Sequence, residues 1–420
     1  MSMSVQVTTL ANGLRIATDY LSTVETASVG AWVAVGTRHE KPELNGISHL
    51  LEHLAFKGTK RRSALAIAEE IEAVGGHLNA YTSRENTAYF AKVLKEDVAL
   101  AVDIIADILQ HATMEPEELE RERQVVIQEI HQSYDTPDDI IFDHFQETAY
   151  PDQAIGRPVL GEASLIEGVA RETVIDYMKG QYSASKIVVA AAGNVDHEVF
   201  VKLAEAAFCD LPEEGIVTNE PTHYRGGEYR EARELEQVHV VMGLEGIAYK
   251  DPDYYPMSVL STLLGGGMSS RLFQEIREKR GLVYSIYSFA SSFEDGGIFG
   301  VYAGTGRNEV TELIPVMCDE IQKLTSSVGE DELARARAQL KAATLMTLES
   351  TASRSEQVAR QLQIFDRVVP IEEVIGEIEK VDAAAVQRTV KRMIESQPTF
   401  AAIGPIDKVE DFDTLMARLN

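Results

Sequence analysis

The chain has 420 residues, enough for two or three domains, and its 45% hydrophobic and 25% charged residues are typical of a globular protein. Its 67 Asp and Glu outnumber its 39 Lys and Arg, and the resulting formal net charge of −28 argues against nucleic acid or an anionic membrane as a partner. A basic substrate would be attracted, although an acidic surface that only maintains solubility explains the charge as well. Two cysteines are too few for a disulfide framework or a thiolate metal site.

The N-terminal sequence MSMSVQVTTLANGLRIATDY has neither the basic and apolar regions of a secretory signal nor the Arg-rich character of a transit peptide. No apolar run reaches the roughly 18 residues that a membrane helix needs. We therefore expect a soluble protein located in the cytoplasm.

The first half of the chain alternates short β-branched stretches with longer helical patterns. Residues 45–56 are predicted to form a helix, with Asn45 as a candidate N-cap and Gly58 just after its end. The other predicted elements are a strand over 27–37, a helix over 64–76, a strand pair over 77–94, helices over 97–112 and 116–134, and a strand over 186–195.

The pattern starts again after a segment rich in Pro, Gly and charged residues at 211–230. The second half is predicted to contain a strand over 237–247, helices over 254–266 and 269–281, strands over 282–304, helices over 309–324 and 331–350, and a strand over 399–406. The order helix, glycine stop, strand pair, two helices and final strand thus occurs twice, at a spacing of about 210 residues.

This repetition predicts an α+β fold of two homologous domains, each a mostly antiparallel sheet packed with helices, related by an internal duplication. We expect an N-terminal domain over residues 1–212, a linker over 213–228 and a C-terminal domain over 229–420. A chance recurrence of common patterns is the alternative.

The helix predicted over 45–56 carries a polar trio, His49, Glu52 and His53, on the side opposite its leucines. Two imidazoles at i and i+4 on one helix face can bind a single metal ion, and a glutamate beside them can accept a proton from water. The H-x-x-E-H order is the inverted zincin signature. A pair of exposed histidines that meet by chance is the simpler alternative.

A catalytic zinc ion needs a third protein ligand and one open position. The helix over 116–134 places Glu122 and Glu129 on the same face as the apolar Leu119 and Val126. Inward carboxylates need a partner, and a cation is suitable, although solvated glutamates on an acidic helix are the alternative. The spacing alone does not choose between Glu122 and Glu129.

These residues together resemble a known family, the pitrilysin-type inverted-zincin metallopeptidases. The stretch HLLEHLAFKGT is especially similar to the catalytic subunit of the mitochondrial processing peptidase and its bacterial relatives. The resemblance implies one Zn²⁺ per chain, held by His49, His53 and Glu129, with Glu52 as the general base and Glu122 as a supporting catalytic carboxylate.

The resemblance extends to residues that would bind substrate. It implies that Asn79, Ala80 and Tyr81 lie alongside the peptide on an edge strand, a mode of binding that tolerates varied side chains. It also implies that Arg277 and Tyr284 hold the substrate backbone. The macrodipole alone would favour Arg277 at a helix C-terminus, and Tyr284 could be a packing aromatic. The Gly265–Gly267 loop lacks the GK[ST] of a phosphate-binding loop, and its role stays open.

The expected function is that of a zinc metalloendopeptidase that cleaves unfolded, leader-like or basic peptides in a chamber formed by a homodimer. Relatives of this length resemble half of the longer single-chain members, which is why a dimer is expected. The alternatives are a catalytic subunit that requires a distinct non-catalytic partner and a non-catalytic scaffold homologue. Such scaffold relatives usually lose the metal motif.

Overall fold

The computed structural model describes residues 5–216 and 219–419. The strands in this part of the chain are β1 (Val5–Thr9), β2 (Arg15–Tyr20), β3 (Thr26–Val33), β4 (His77–Thr82), β5 (Thr87–Leu94), β6 (Ile187–Gly193), β7 (Gly227–Ala232), β8 (Val238–Glu245), β9 (Val283–Ser292), β10 (Gly297–Thr305) and β11 (Thr399–Gly404).

The α-helices of the same residues include the helical segments predicted in both halves, except the one over 269–281, and several more. They are α1 (Ile47–Ala55), α2 (Ala64–Ala73), α3 (Val98–His111), α4 (Pro116–Tyr134), α5 (Pro137–Ala149), α6 (Ala163–Gly168), α7 (Arg171–Gln181), α8 (His197–Ala207), α9 (Tyr254–Gly265), α10 (Val310–Lys323), α11 (Glu330–Thr347), α12 (Thr351–Phe365), α13 (Ile371–Lys380), α14 (Ala383–Ile394) and α15 (Phe412–Leu419).

The strands form two sheets that share one topology. The order is β1-β2-β6-β3-β5-β4 in the first sheet and β7-β11-β8-β10-β9 in the second. Without β1, each sheet starts with a parallel pair, β2 with β6 or β7 with β11, and every other neighbouring pair is antiparallel. The predicted fold of two homologous, mostly antiparallel domains is therefore confirmed.

The chain divides into two compact units that are discontinuous in sequence. The first contains the described residues of 1–131, 157–220 and 345–370, and the second those of 132–156, 221–344 and 371–420. Helix α12 packs on β2, β3 and β6 of the first unit, and α5 packs on β7, β8 and β11 of the second. The two units therefore differ from a division of the chain at the linker expected over 213–228, because each unit contains one helix from the other half of the sequence.

In the first unit, one face of the sheet packs on a core to which α1, α2, α3 and α4 contribute, and α12 covers the other face around Trp32. Among the described strands, β4 lies at the end of the sheet order and pairs with β5 alone. The hairpin β4–β5 and the helix α1 lie in contact, which brings the polar face of α1 to an open sheet edge.

Two local predictions need correction. Helix α1 begins at Ile47 rather than Asn45, because the Asn45 side chain donates hydrogen bonds to Glu40 and to the Pro158 carbonyl and does not cap the helix. The α-helix expected over 269–281 is instead π-helical over Phe273–Glu278, where the Gln274 carbonyl accepts from the Lys279 N–H five residues later.

Gly265 ends α9 where that helix lies against β9. A Cβ atom at this position would lie 2.4 Å from the backbone nitrogen of Ser288, so only glycine permits the approach. This contact gives the first glycine of the Gly265–Gly267 loop a packing role.

Candidate metal centre

Helix α1 separates its side chains as the helical wheel predicts. His49, Glu52 and His53 are half-buried on one side. The opposite side is fully buried in the core of the first unit and consists of Ile47, Leu50, Leu51 and Leu54. Burial of these four apolar side chains therefore fixes the direction in which the polar trio points.

A carboxylate from outside the helix holds the N-terminus of α1. Both oxygens of the buried Glu40 accept hydrogen bonds, Oε2 from the Gly46 N–H at 2.9 Å and Oε1 from the Ser48 N–H at 2.7 Å. Gly46 has φ +94°, and a Cβ there would lie 2.7 Å from the Leu160 carbonyl oxygen. An anion at free backbone N–H groups also complements the helix dipole.

Three side-chain atoms from α1 and α4 converge on one point. The Glu129 Oε2 atom lies 3.6 Å from His49 Nε2 and 3.5 Å from His53 Nε2. All three ligand atoms lie within 4.8 Å of one another, and no other such group of His, Cys, Asp and Glu occurs among the residues that the structure describes.

The donor set and its spacing fit a zinc ion. Zinc–ligand bonds of about 2.0–2.1 Å in a tetrahedron separate the ligand atoms by about 3.3 Å, close to the two distances measured from Glu129. Two imidazoles and one carboxylate leave a fourth position open, which is the pattern of catalytic rather than structural zinc.

Glu122 lies behind the cluster. Its Oε2 atom is 3.0 Å from Nδ1 of His53, the ring nitrogen that faces away from Glu129. Its Oε1 atom forms an ion pair with the Lys57 ammonium at 2.7 Å. A carboxylate on the second nitrogen of a ligand histidine fixes the tautomer and the ring orientation. The two inward glutamates, which the helical wheel could not distinguish, thus lie beside different ring nitrogens of His53.

The carboxylate of Glu52 is held by one hydrogen bond. The Thr82 hydroxyl, at the end of β4, donates to Glu52 Oε2 over 2.6 Å. Burial raises the pKa of Glu52, and the charge of Glu129 acts in the same direction, while the Thr82 hydrogen bond and His53 oppose the rise. A raised pKa brings a carboxylate closer to the range in which it exchanges protons near neutral pH.

His49 is held in the neutral form. Burial, with a smaller contribution from His53, lowers the pKa of His49 to about 4. Only a neutral imidazole donates a lone pair to a metal, so this shift favours metal binding at neutral pH.

The three residues expected to line the substrate lie on the edge strand β4. Asn79 is exposed, and its side chain accepts a hydrogen bond from the Ala80 N–H. Ala80 packs on the same core as α1, whereas Tyr81 lies on the opposite face of the sheet, where its hydroxyl donates to Glu356 of α12 over 2.9 Å. These three side chains therefore lie in different environments. Their common feature is their position on the edge strand β4.

Arg277 and Tyr284 lie together in the second unit. The Arg277 guanidinium is 4.7 Å from the Phe273 ring centre and 5.9 Å from that of Tyr284. Tyr284 is 80% exposed and is therefore not a packing aromatic. Arg277 is half-buried between these two rings, and the Tyr284 ring is open to solvent.

Three residues around the cluster were not found by sequence reasoning, namely Glu40, Lys57 and Thr82. Lys57 follows α1 by two residues and belongs to the HLLEHLAFKGT stretch, and Thr82 lies within the strand pair predicted over 77–94. Their roles depend on contacts with residues 6 to 65 positions away, and the apolar periodicity that predicts helices and strands does not encode such contacts.

No helix in the described ranges has the length and apolar character needed to cross a membrane.

Comparison with known proteins agrees with the geometry. Residues 15–163 match the family model for insulinase, peptidase family M16, and residues 168–340 match the model for the peptidase M16 inactive domain. A protein of Rickettsia felis named as an uncharacterized zinc protease is 38% identical over 97% of this chain and 99% of its own length. A probable mitochondrial-processing peptidase subunit beta of Arabidopsis thaliana is 38% identical over 98% of this chain and 81% of its own.

A crystal structure of a protease from Helicobacter pylori superposes with a TM-score of 0.89 at 24% identity, covering 96% of this chain and 99% of that one, and shows the same fold. The resemblance inferred from the HLLEHLAFKGT stretch is thereby confirmed. Both halves of the chain match models of one family, and the relatives align over nearly its full length. The chain belongs to the insulinase family of metallopeptidases, peptidase family M16.

Proposed function

We propose that this protein is a zinc-dependent endopeptidase. The observation that carries the proposal is the convergence of His49 Nε2, His53 Nε2 and Glu129 Oε2 beside the half-buried carboxylate of Glu52. We assign the first three groups as ligands of one Zn²⁺ per chain, and Glu52 as the general base. Relatives named as zinc proteases support the metal and the reaction class.

A zinc ion held by these three groups would acidify a water molecule and polarise the peptide carbonyl. Glu52 accepts the proton of the attacking water and returns it to the nitrogen of the leaving amine, so that one C–N bond breaks as one C–O bond forms. Glu122, paired with Lys57, keeps the Nδ1 proton of His53 in place.

The open edge of β4 supports the peptide class of substrate. An extended peptide that adds to this edge would be held by main-chain hydrogen bonds, with Asn79, Ala80 and Tyr81 along its path. We assign Arg277 and Tyr284 to further contacts with the substrate backbone. Because only extended chains add to a strand edge, we propose unfolded or leader-like peptides, with a preference for basic ones.

We propose a homodimer as the working assembly. A family member named as a subunit, the mitochondrial-processing peptidase subunit beta of Mus musculus, 37% identical to this chain, keeps open the alternative of a distinct non-catalytic partner. Sedimentation of the purified chain together with its activity separates the two: a dimer that cleaves peptide alone supports the homodimer, and a chain that is fully active as a monomer excludes it. The cytoplasmic location stays a prediction.

The test of the function is metal analysis and peptide cleavage on one preparation. We expect about one zinc per chain, cleavage of an unfolded basic peptide, loss of cleavage with a chelator and its return with added zinc. A metal-free chain that cleaves equally well would contradict a metallopeptidase. Full zinc without cleavage of any peptide, alone or with a partner, would favour a scaffold role.

A further inference from the structure

A hydrogen bond between Thr82 and Glu52 connects the edge strand β4 with the helix α1 in the first unit. Thr82 is the last residue of β4, the strand whose open edge is available to a peptide, and Glu52 belongs to α1. The hydroxyl donates to Glu52 Oε2 at 2.6 Å, a length typical of a hydrogen bond to an ionised carboxylate.

The hydrogen bond selects one orientation of the base. A glutamate side chain has three torsions, and the last is broad, so an unrestrained carboxylate samples many positions. Thr82 is the only side chain among the described residues that makes a hydrogen bond to Glu52. Oε2 already accepts this hydrogen bond, whereas no side chain of the described residues donates to Oε1, which keeps both of its lone pairs for a proton.

We propose that Thr82 is a positioning residue for the general base, fixing Glu52 so that Oε1 is its proton acceptor and tying this orientation to the strand on which the peptide lies. The inference rests on the proposed peptidase function. The same strand, β4, carries both the edge to which a peptide adds and the hydroxyl that holds Glu52. One hydrogen bond therefore aligns the bound peptide with the base.

A structural role for the hydroxyl is the competing explanation, and the chain offers a matched control. Thr82 pairs with Thr87 across the β4–β5 hairpin, and the Thr87 hydroxyl donates to the Val35 carbonyl over 2.9 Å. Both threonines can be replaced by valine, which keeps the β-branched shape and the strand preference but removes the hydroxyl. Only Thr82→Val removes a contact with Glu52.

The experiment compares wild type, Thr82→Val, Thr82→Ser and Thr87→Val for kcat and KM on an unfolded peptide, zinc content and thermal midpoint. Misplacement of a catalytic group can reduce the rate by about 100-fold, so we expect Thr82→Val to lower kcat by about 10- to 100-fold. Its KM should stay within about twofold and its zinc content should match wild type. Thr82→Ser, which keeps the donor, should restore most of the rate, and Thr87→Val should lower the thermal midpoint without this loss of kcat.

Three outcomes would overturn the inference. Wild-type kcat in Thr82→Val would show that the hydroxyl does not position the base, while the peptidase function stands. Loss of zinc from Thr82→Val would assign the Thr82 hydroxyl a structural role. So would a loss of kcat in Thr87→Val equal to that in Thr82→Val. A wild-type protein that cleaves no peptide would overturn the proposed function and this inference together.

Discussion

The two inward glutamates of α4 meet different atoms of the same histidine. Glu129 lies beside the Nε2 atoms of both histidines, whereas Glu122 contacts the Nδ1 atom of His53 and the ammonium of Lys57. A group that faces the convergent nitrogens is placed to bind the metal, and a group behind the ring is placed to orient it. Mutation of Glu129 and mutation of Glu122 should therefore have different effects on zinc affinity.

We expect Glu129→Gln to lose zinc and Glu122→Gln to bind it about 10- to 100-fold more weakly, because the first removes a ligand and the second an orienting carboxylate. Zinc content after dialysis against graded chelator concentrations measures both. A Glu129→Gln variant that keeps its metal while Glu122→Gln loses it would reverse the two assignments.

A buried histidine of the first unit, His39, links pH to stability. Burial lowers the pKa of His39 to about 4, with Lys186 and Arg38 acting in the same direction, and the Gly36 N–H donates to its Nδ1 atom. In the unfolded chain the pKa returns to its ordinary value of about 6.5. Between these two values the unfolded chain binds a proton that the folded chain does not, so stability falls as the pH falls.

We expect the free energy of unfolding of chelator-treated protein to decrease from pH 7 to pH 4.5, with His39 contributing on the order of 2 kcal/mol. Urea unfolding at both pH values measures the difference. In His39→Asn, whose amide oxygen can accept the Gly36 N–H and does not titrate, the decrease should be smaller. An unchanged pH dependence in that variant would remove His39 as a source.

At the scale of elements, the position of α1 depends on a side chain outside it. Glu40 accepts hydrogen bonds from two of the N–H groups at the start of α1, and it is 4% exposed. Since α1 carries both histidines and the base, a shift of its N-terminus would disturb the whole cluster.

We expect Glu40→Gln to lower the free energy of unfolding by about 1–3 kcal/mol, because the amide NH₂ cannot accept from the backbone donors and leaves one unsatisfied. Zinc affinity should fall with it. Glu43→Gln, a few residues later and exposed, is the matched control and should be neutral. Equal stability of the two variants would show that the cap is dispensable.

Periodic patterns predicted most of the elements around the site. The helices α1 and α2 and the hairpin β4–β5 follow from their apolar spacing and from the Gly75–Gly76 stop. The choice between Glu122 and Glu129 was beyond such reasoning, because both lie on one face of α4 and only the position of the histidines distinguishes them. The Glu40 cap and the Thr82 hydrogen bond are tertiary contacts, which local patterns do not encode.

The division of the chain into two compact units also could not be predicted from local patterns. Helices α5 and α12 are each amphipathic and satisfy the helical period, but nothing local tells which sheet they cover. Their membership follows from packing, since α12 buries Val358, Ala359 and Leu362 on the first sheet and α5 buries Ile141 and Phe145 on the second. A linear division of the sequence therefore misses the helix that each unit takes from the other half.

At the scale of the whole molecule, the net charge of −28 should act on the rate of peptide capture. We expect kcat/KM for a basic peptide to exceed that for an acidic peptide of equal length at low salt. The ratio should shrink between 0.01 and 0.1 M salt, because the Debye length falls from about 30 to about 10 Å. Equal kcat/KM values at low salt would remove the electrostatic preference and leave the zinc chemistry untouched.

The most direct test of the central claim, a zinc peptidase with Glu52 as its base, is turnover of the Glu52→Gln variant with its zinc content verified. Glutamine has nearly the volume of glutamate but cannot take a proton from water, so we predict full zinc content and a kcat lowered by about 10²- to 10⁴-fold. Glu69→Gln, on the exposed side of α2, is the control and should match wild type. Near-normal turnover in a Glu52→Gln variant that holds one zinc per chain would contradict the account.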